Sequence, residues 1–212
     1  MLSERRIIEA AAAVADAGGL SAVSMRNVGK ELGVEAMSLY HHVASKEALL
    51  DSLVDWVFEQ IATPDVQDPW REAMVLRCRS ARTVLSQHSW ALGMLESRPT
   101  PGRPLLLHHD RVLGCLMNSG FSAVLATHAF SVLDAYVYGF ALTEASLPFP
   151  AGDGAEEAFA IEVAAPTDEY PHIARTFREV VKDRDYSFAA EFDYGLDLIL
   201  DGLAKRLRRA GP

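Results

Sequence analysis

The residues best placed to do chemistry lie between Met25 and Lys46, in the run MRNVGKELGVEAMSLYHHVASK. Within it Ala36, Met37, Ser38, Tyr40, His41 and His42 form a small, aromatic and imidazole-bearing set, flanked by Arg26 and Lys46. A helix face turned only to water would instead be laced with Glu and Lys. Such a set can touch thymine methyls with Ala and Met and reach phosphate through a hydroxyl or a cation. The residues that must hold it are also readable. Val28 and Leu32 give one short helix an inward face, and Gly29 is small where two helices would touch. Gly33 admits the left-handed backbone of a tight turn, and Val34 and Leu39 pin the next helix from beneath. Two short helices crossing through such a turn are what a helix-turn-helix needs to place the second in a major groove. A plain helical hairpin shares the glycine and the apolar spacing, and only the outward face of the second helix separates the two readings.

Charge sets a condition on the DNA reading. The whole chain of 212 residues carries a formal net charge of −9, which argues against a nonspecific polyanion binder. Ahead of residue 48, Arg5, Arg6, Arg26, Lys30 and Lys46 face Glu4, Glu9, Asp16, Glu31, Glu35 and Glu47, five basic residues against six acidic. Attraction to phosphate must therefore come from Arg26, Lys46, the Tyr40 hydroxyl and amide protons at helix N-termini. A shallow salt dependence and reliance on dimerisation follow.

Helical periodicity dominates the rest of the chain, so the expected fold class is all-α. Ser3 is placed to cap a first helix whose apolar face is Ile7, Ile8, Ala11, Val14 and Ala15, ended by Gly18-Gly19. Ser24 caps a second helix to Leu32, a third covers about Glu35 to His42, and Ser45 caps a fourth to about Ile61. Asp68-Pro69 reads as the cap and first position of a helix to about Gln87, with a shorter one near Ser89 to Leu95. Ser97 to Pro104 is a break. Helices follow over about Leu105–Asn118, Ser122–Ser146, Pro171–Lys182 and from Ser187 to the basic end at Lys205, Arg206, Arg208 and Arg209. The Pro-, Gly-, Ala- and acid-rich stretch from Leu147 to Thr167 reads as a mobile loop.

Several other functions are disfavoured. Cys78 and Cys115 sit in apolar helical patterns and read as buried thiols of a reducing compartment. The run Phe121–Leu142 is long enough to span a bilayer, but it carries His128 and Asp134 mid-run, so a bundle or dimer helix explains it better. His108-His109 point about 100° apart on a helix and, beside Asp110, read as a solvated helix start and not a metal site. No phosphate loop, nucleophile elbow or metal motif is present, so neither enzyme activity, a metal nor a cofactor is expected, and the chain reads as cytoplasmic.

The stretch Gly33-Val34 … Ser38-Leu39-Tyr40-His41-His42-Val43 … Lys46-Glu47-Ala48-Leu49-Leu50 resembles the TetR family of bacterial transcriptional regulators. More weakly, Trp70, Arg98-Pro99-Thr100, Gly120-Phe121-Ser122 and Gly195-Leu196 … Leu200 … Gly202-Leu203 look like the C-terminal domain of tetracycline repressors. The resemblance implies a helix-turn-helix domain over residues 1–46 and a helical-bundle ligand-binding and dimerisation domain over 47–212. It places Arg26, Ala36, Met37, Ser38, Tyr40, His41, His42 and Lys46 on operator DNA. It also implies a homodimer through helices of about 122–146 and 187–208, and a small-molecule effector bound in the C-terminal core. Met94 stands where tetracycline repressors have a magnesium-binding His, Ala62 where they have another His, and Arg77 and Ala81 where they have drug contacts. A thioether, two methyls and a guanidinium cannot rebuild a hard-cation site, so magnesium–tetracycline is excluded. Together with Trp90, Leu113, Met117, Phe130 and Tyr136, the residues Arg77, Ala81 and Met94 outline a site for an apolar or aromatic effector, unless they simply fill a core. The rival reading is a small-molecule-binding helical protein without sequence-specific DNA function.

Overall fold

A computed structural model describes residues 1–94, 102–148, 169–181 and 186–210, and among them all regular structure is helical. The chain order is α1 (Glu4–Gly18), α2 (Met25–Leu32), α3 (Ala36–Leu39), α4 (Lys46–Gln60), α5 (Trp70–Gln87), α6 (Arg103–Asn118), α7 (Ala123–Ala145), α8 (Pro171–Thr176) and α9 (Phe188–Ala210). Short 3-10 turns cover Leu20–Ala22 and Ser89–Gly93, and α8 runs on into a π-helical turn at Phe177–Val181.

Helix starts follow the capping residues. The hydroxyls of Ser3, Ser24, Ser45 and Ser122 accept hydrogen bonds from the amides of Arg6, Asn27, Ala48 and Leu125, each satisfying a donor that the first helical turn leaves open. The Asp68 expectation is corrected: its carboxylate accepts from the Asp65 amide at 2.8 Å, Pro69 takes the cap position, and α5 opens at Trp70 without a side-chain cap. Asp68 thus closes the preceding turn instead. The third helix is also shorter than expected. Its α-helical part ends at Leu39, and Tyr40 to His42 form a turn closed by the His42 and Val43 amides on the Leu39 carbonyl, at 2.9 and 3.0 Å. The expected break at residues 97–104 lies outside the described residues as far as position 101, and the expected loop at 147–167 lies outside them from position 149.

Two apolar cores organise these helices. The first packs Ile7, Ala11 and Ala15 of α1 against Val28 of α2, Leu39 of α3, and Leu49 and Leu53 of α4. The second begins on the same α4 with Val54, Val57, Phe58 and Ile61 and continues through α5, α6, α7 and α9. Cys78 and Cys115 are both buried in it, and burial pushes the Cys78 thiol up to about 11. Helix α7 is long and apolar enough to cross a membrane by length and composition, yet one side of it packs on α5, α6 and α9.

The crossing of α2 and α3 turns on two glycines. Gly33 sits at φ 68°, ψ 32°, the left-handed region, and caps α2. Gly29 allows a close backbone approach: a Cβ there would lie 2.8 Å from the Val34 carbonyl oxygen and 3.2 Å from the Ala36 amide. Alanine would gain about 1 kcal/mol of helix propensity. Both obstructing atoms are backbone, however, and pushing α3 away costs roughly 1–3 kcal/mol. Gly29→Ala is therefore expected to lower the melting temperature by a few degrees and to weaken DNA binding further than that loss explains. Thermal denaturation followed by circular dichroism, run beside a DNA titration, checks both.

Candidate functional site

The first set of candidate residues gathers on one surface. Leu39 is fully buried and anchors the short α3 from below. Met37, two residues earlier, is 72 % exposed, and Tyr40, one residue later, is 45 % exposed. A large thioether side chain left this bare on a one-turn helix has no packing role in the protomer. His41 and His42 are exposed, and Ala36 and Ser38 are half-buried around Leu39. Arg26 lies exposed in the first turn of α2, and Lys46 is the exposed first residue of α4. Beside Lys46, the Glu47 carboxyl is held below its usual range by its own backbone amide and then by the Ser45 hydroxyl. The arrangement offers methyls, a hydroxyl and imidazoles in the middle and a cation on either side, suited to a groove and its flanking phosphates.

The second set divides. Arg77 and Ala81 of α5 are buried, as is Met94, while Phe130 and Leu113 are half-buried. Arg77 lies under the Phe130 ring, 5.5 Å from its centroid, and His109 meets the same ring edge-on at 4.5 Å. Three candidates point elsewhere. Tyr136 donates to the Phe192 carbonyl at 2.9 Å and stacks on the Phe192 ring, tying α7 to α9. Trp90 donates to Asp16 of α1 at 2.6 Å. Met117 is 43 % exposed. The structure therefore groups Arg77 with Phe130, and does not bring Tyr136, Trp90 or Met117 to them.

Around Arg77 lies a buried polar chain that the sequence reading did not assemble. Arg77 Nη2 is ion-paired with Asp134 of α7, and Arg77 Nε donates to His108 Nε2 at 3.1 Å. His108 is 2 % exposed, which overturns its reading as a solvated helix start. Because arginine only donates, His108 Nε2 must be the acceptor, which leaves the proton on Nδ1. Nδ1 then donates to Thr63 Oγ1 at 3.2 Å, and Thr63 donates to the Ile61 carbonyl just past the end of α4. Tyr138, one turn beyond Asp134, donates to its Oδ2. A signal was available for one partner: Asp134 is a lone charge in the middle of an apolar helical run, whereas Arg77 is one of four arginines on α5 and nothing in the sequence singles it out.

The electrostatics agree with that tautomer. Burial, and then the neighbouring Arg77 and His109, press the His108 pKa down to about 3. For Arg77, burial works most strongly against the charge, but the Asp134 carboxylate, Cys78 and Tyr138 together outweigh it and the guanidinium pKa is raised. No three His, Cys, Asp or Glu side chains gather as metal ligands among the described residues. A second polar contact joins the two cores. Asp16 of α1 meets His88 Nδ1 at 2.8 Å as well as Trp90, and His88 packs edge-on to Trp56 of α4 at 4.9 Å.

A histidine pKa of about 3 in the folded state and 6.5 in the unfolded chain means that the unfolded chain binds more protons between those values. Stability is therefore lost as pH falls below about 6.5, by about 2 kcal/mol at pH 5 from this residue alone. Urea titrations of the wild type and His108→Gln at pH 8 and pH 5 should show a shallower pH dependence in the variant. Equal slopes would contradict the neutral buried imidazole.

The chain matches the family described as bacterial regulatory proteins of the tetR family over residues 7–53, and the tetracyclin repressor-like C-terminal domain over residues 63–207. It is 31 % identical to the HTH-type transcriptional repressor DrrR1 of Streptomyces coeruleorubidus over 93 % of this chain and 76 % of that protein. It is 29 % identical to the class A tetracycline repressor of Escherichia coli, over 97 % of this chain and 92 % of the repressor. Among solved structures, apo ActR from Streptomyces coelicolor superposes with a TM-score of 0.77 at 26 % identity, covering 99 % of this chain and 98 % of ActR. ActR in complex with actinorhodin gives 0.75 at 27 % identity, over 96 % and 95 % of the two chains. The relatives named are regulators; the first matched region spans the N-terminal core, and the second holds most of the larger core, whose α4 residues Val54 to Ile61 fall between the two. The chain belongs to the TetR family of helix-turn-helix transcriptional regulators.

Proposed function

We propose that this regulator is a cytoplasmic repressor that binds a palindromic operator as a homodimer and leaves it when an apolar or aromatic small molecule, other than magnesium–tetracycline, enters the C-terminal core. The bare face of α3 carries this reading: Met37 and Tyr40 stand out from a one-turn helix whose underside is fixed by Leu39. Residues 1–46 read DNA, and 47–212 bind the effector and dimerise. Tyr40, His42, Arg26 and Lys46 contact phosphate, while Ala36, Met37 and His41 face base edges, with Ser38 between them. Methyl contacts to thymine dominate over bidentate hydrogen bonds.

The outer side of α7 supports the twofold assembly. Only 22 % of its most apolar window is buried within one protomer, and Val124, Val132 and Leu142 are exposed along it. Tyr194 and Leu198 are exposed on α9, and a cleft lined by His128, Val132, Leu203 and Arg206 runs between the two helices. Two such pairs, packed as a four-helix bundle, cover the apolar surface and remove any need for a membrane. The two α3 helices then present themselves to half-sites about 34–36 Å apart.

The effector acts through α4. Its pocket includes Arg77, Ala81, Met94, Leu113 and Phe130, and the polar chain from Arg77 through His108 to Thr63 ends just beyond α4. A ligand that shifts this chain favours a different tilt of α4, and operator affinity falls by the coupling free energy between the two sites. Trp90 belongs to the joint with α1 and Tyr136 to the joint between α7 and α9, so neither they nor the exposed Met117 lines this pocket.

The proposal is tested by mobility shift on the protein's own upstream DNA with Tyr40→Ala combined with Lys46→Ala. Both side chains are exposed, so the melting temperature should stay unchanged while specific affinity drops at least about tenfold. The slope of log K against log salt should also become shallower by about one unit, for the lost lysine contact. No preference for that DNA over competitor in either the wild type or the variant would favour the ligand-binding protein without DNA function.

A further inference from the structure

The Arg77–Asp134 pair is incompletely bonded. Arg77 is 1 % exposed, and its Nη1 has no hydrogen-bond partner among the described residues. Asp134 Oδ1 is engaged by Arg77 Nη2 in the ion pair, and a carboxylate oxygen keeps a second lone pair for a further donor. Buried polar groups are nearly always satisfied, and an orphan donor carries the full cost of its lost hydration. Nη1 and Nη2 share one carbon, so the open donor lies beside the carboxylate oxygen that Nη2 contacts. Aromatic faces stand beside them: Phe130 over the guanidinium, His109 against Phe130, and Phe58 5.9 Å from His108.

Charge narrows the occupant. Arg77 and Asp134 cancel, and His108 is neutral by its bonding to Arg77. A carboxylate or an amine brought into this core would leave one uncompensated charge in a medium of low dielectric, a heavy penalty. A ligand with an acceptor alone would satisfy Nη1 and leave Oδ1 as it is. An uncharged ligand with acceptor and donor side by side satisfies both.

We infer that the Arg77–Asp134 edge is the polar end of the effector site and selects an uncharged, planar aromatic ligand bearing an acceptor next to a donor, as a lactam edge does. The inference rests on the ligand-responsive reading above and adds the ligand's chemistry. Ligand discrimination then lies in one pair of hydrogen bonds, since the aromatic walls hold any flat ring of suitable size.

The test uses full-length protein and three bicyclic probes of similar shape: 2-quinolone, N-methyl-2-quinolone and 2-naphthoate. Isothermal titration calorimetry should rank 2-quinolone tightest, with the N-methyl compound about tenfold weaker for its lost donor and the naphthoate weaker still. Arg77→Lys keeps the charge facing Asp134 but loses the forked donor, and circular dichroism verifies that it folds. In Arg77→Lys the preference for 2-quinolone over N-methyl-2-quinolone should disappear. A second variant, Arg77→Leu with Asp134→Leu, removes the forked donor and its carboxylate together and should bind 2-quinolone and N-methyl-2-quinolone alike, with the naphthoate still weakest. Equal or tighter binding of 2-naphthoate by the wild type, or no binding of any probe to protein that still shifts its upstream DNA, overturns the inference. Adding each probe to the protein–DNA complex separates the two proposals. If 2-quinolone binds selectively through Arg77 but leaves DNA affinity unchanged, the site stands and the effector-release reading falls.

Discussion

Helix α4 belongs to two cores at once, and the arrangement of everything else depends on that. Leu49 and Leu53 lock its first half into the small N-terminal core, while Val54, Val57, Phe58 and Ile61 lock its second half into the large one. The handover takes place between adjacent residues, so the rod offers no slack. Burying each of these side chains contributes about 1.5–3 kcal/mol, far more than any surface contact around them. The reading surface on α3 is consequently oriented by the C-terminal core through a single helix, with α1 braced to the same core by Asp16 on His88 and Trp90. A change in the large core has few ways to dissipate before it reaches the exposed residues of α3.

At the far end of that rod the chain places charge where packing would prefer hydrocarbon. Arg77 and Asp134 face each other across α5 and α7, and replacing such a pair with apolar residues is often neutral or stabilising. With His108 and Thr63 strung from it toward α4, the pair is better explained by the proposed effector site than by stability. The exposed Arg79–Asp193 and Arg71–Asp201 pairs between α5 and α9 contribute far less, being solvated. The buried network is the part of the C-terminal core where hydrogen-bonding groups stand in place of hydrocarbon.

Local signals in the sequence were legible because the interactions behind them are local. A serine before an apolar run caps the amide three residues on, and Gly33 ends α2 because few other residues tolerate that backbone. The helix-turn-helix and the family likeness rested on such signals. Asp68 shows their limit: its carboxylate had two amides within reach, and the turn at Asp65 took it. The phase of α7 was not legible either. This helix is apolar nearly all round, so periodicity could not say that Phe130, Asp134 and Tyr138 share one face while Tyr136 and Phe140 turn toward α9. Tyr136 was grouped with the pocket for that reason. His108 was misjudged because its neighbours in sequence, His109 and Asp110, are polar, whereas its partners Arg77 and Thr63 lie 31 and 45 residues away.

The most direct test of the account is a hydroxyl-radical footprint of the protein on its upstream DNA. Two protected segments on one face of the duplex, centred about one helical turn apart and related by a twofold axis, are predicted. They should appear and vanish together as protein concentration changes, because one dimer bears both α3 helices. A single protected segment, or protection that ignores sequence, would contradict the account.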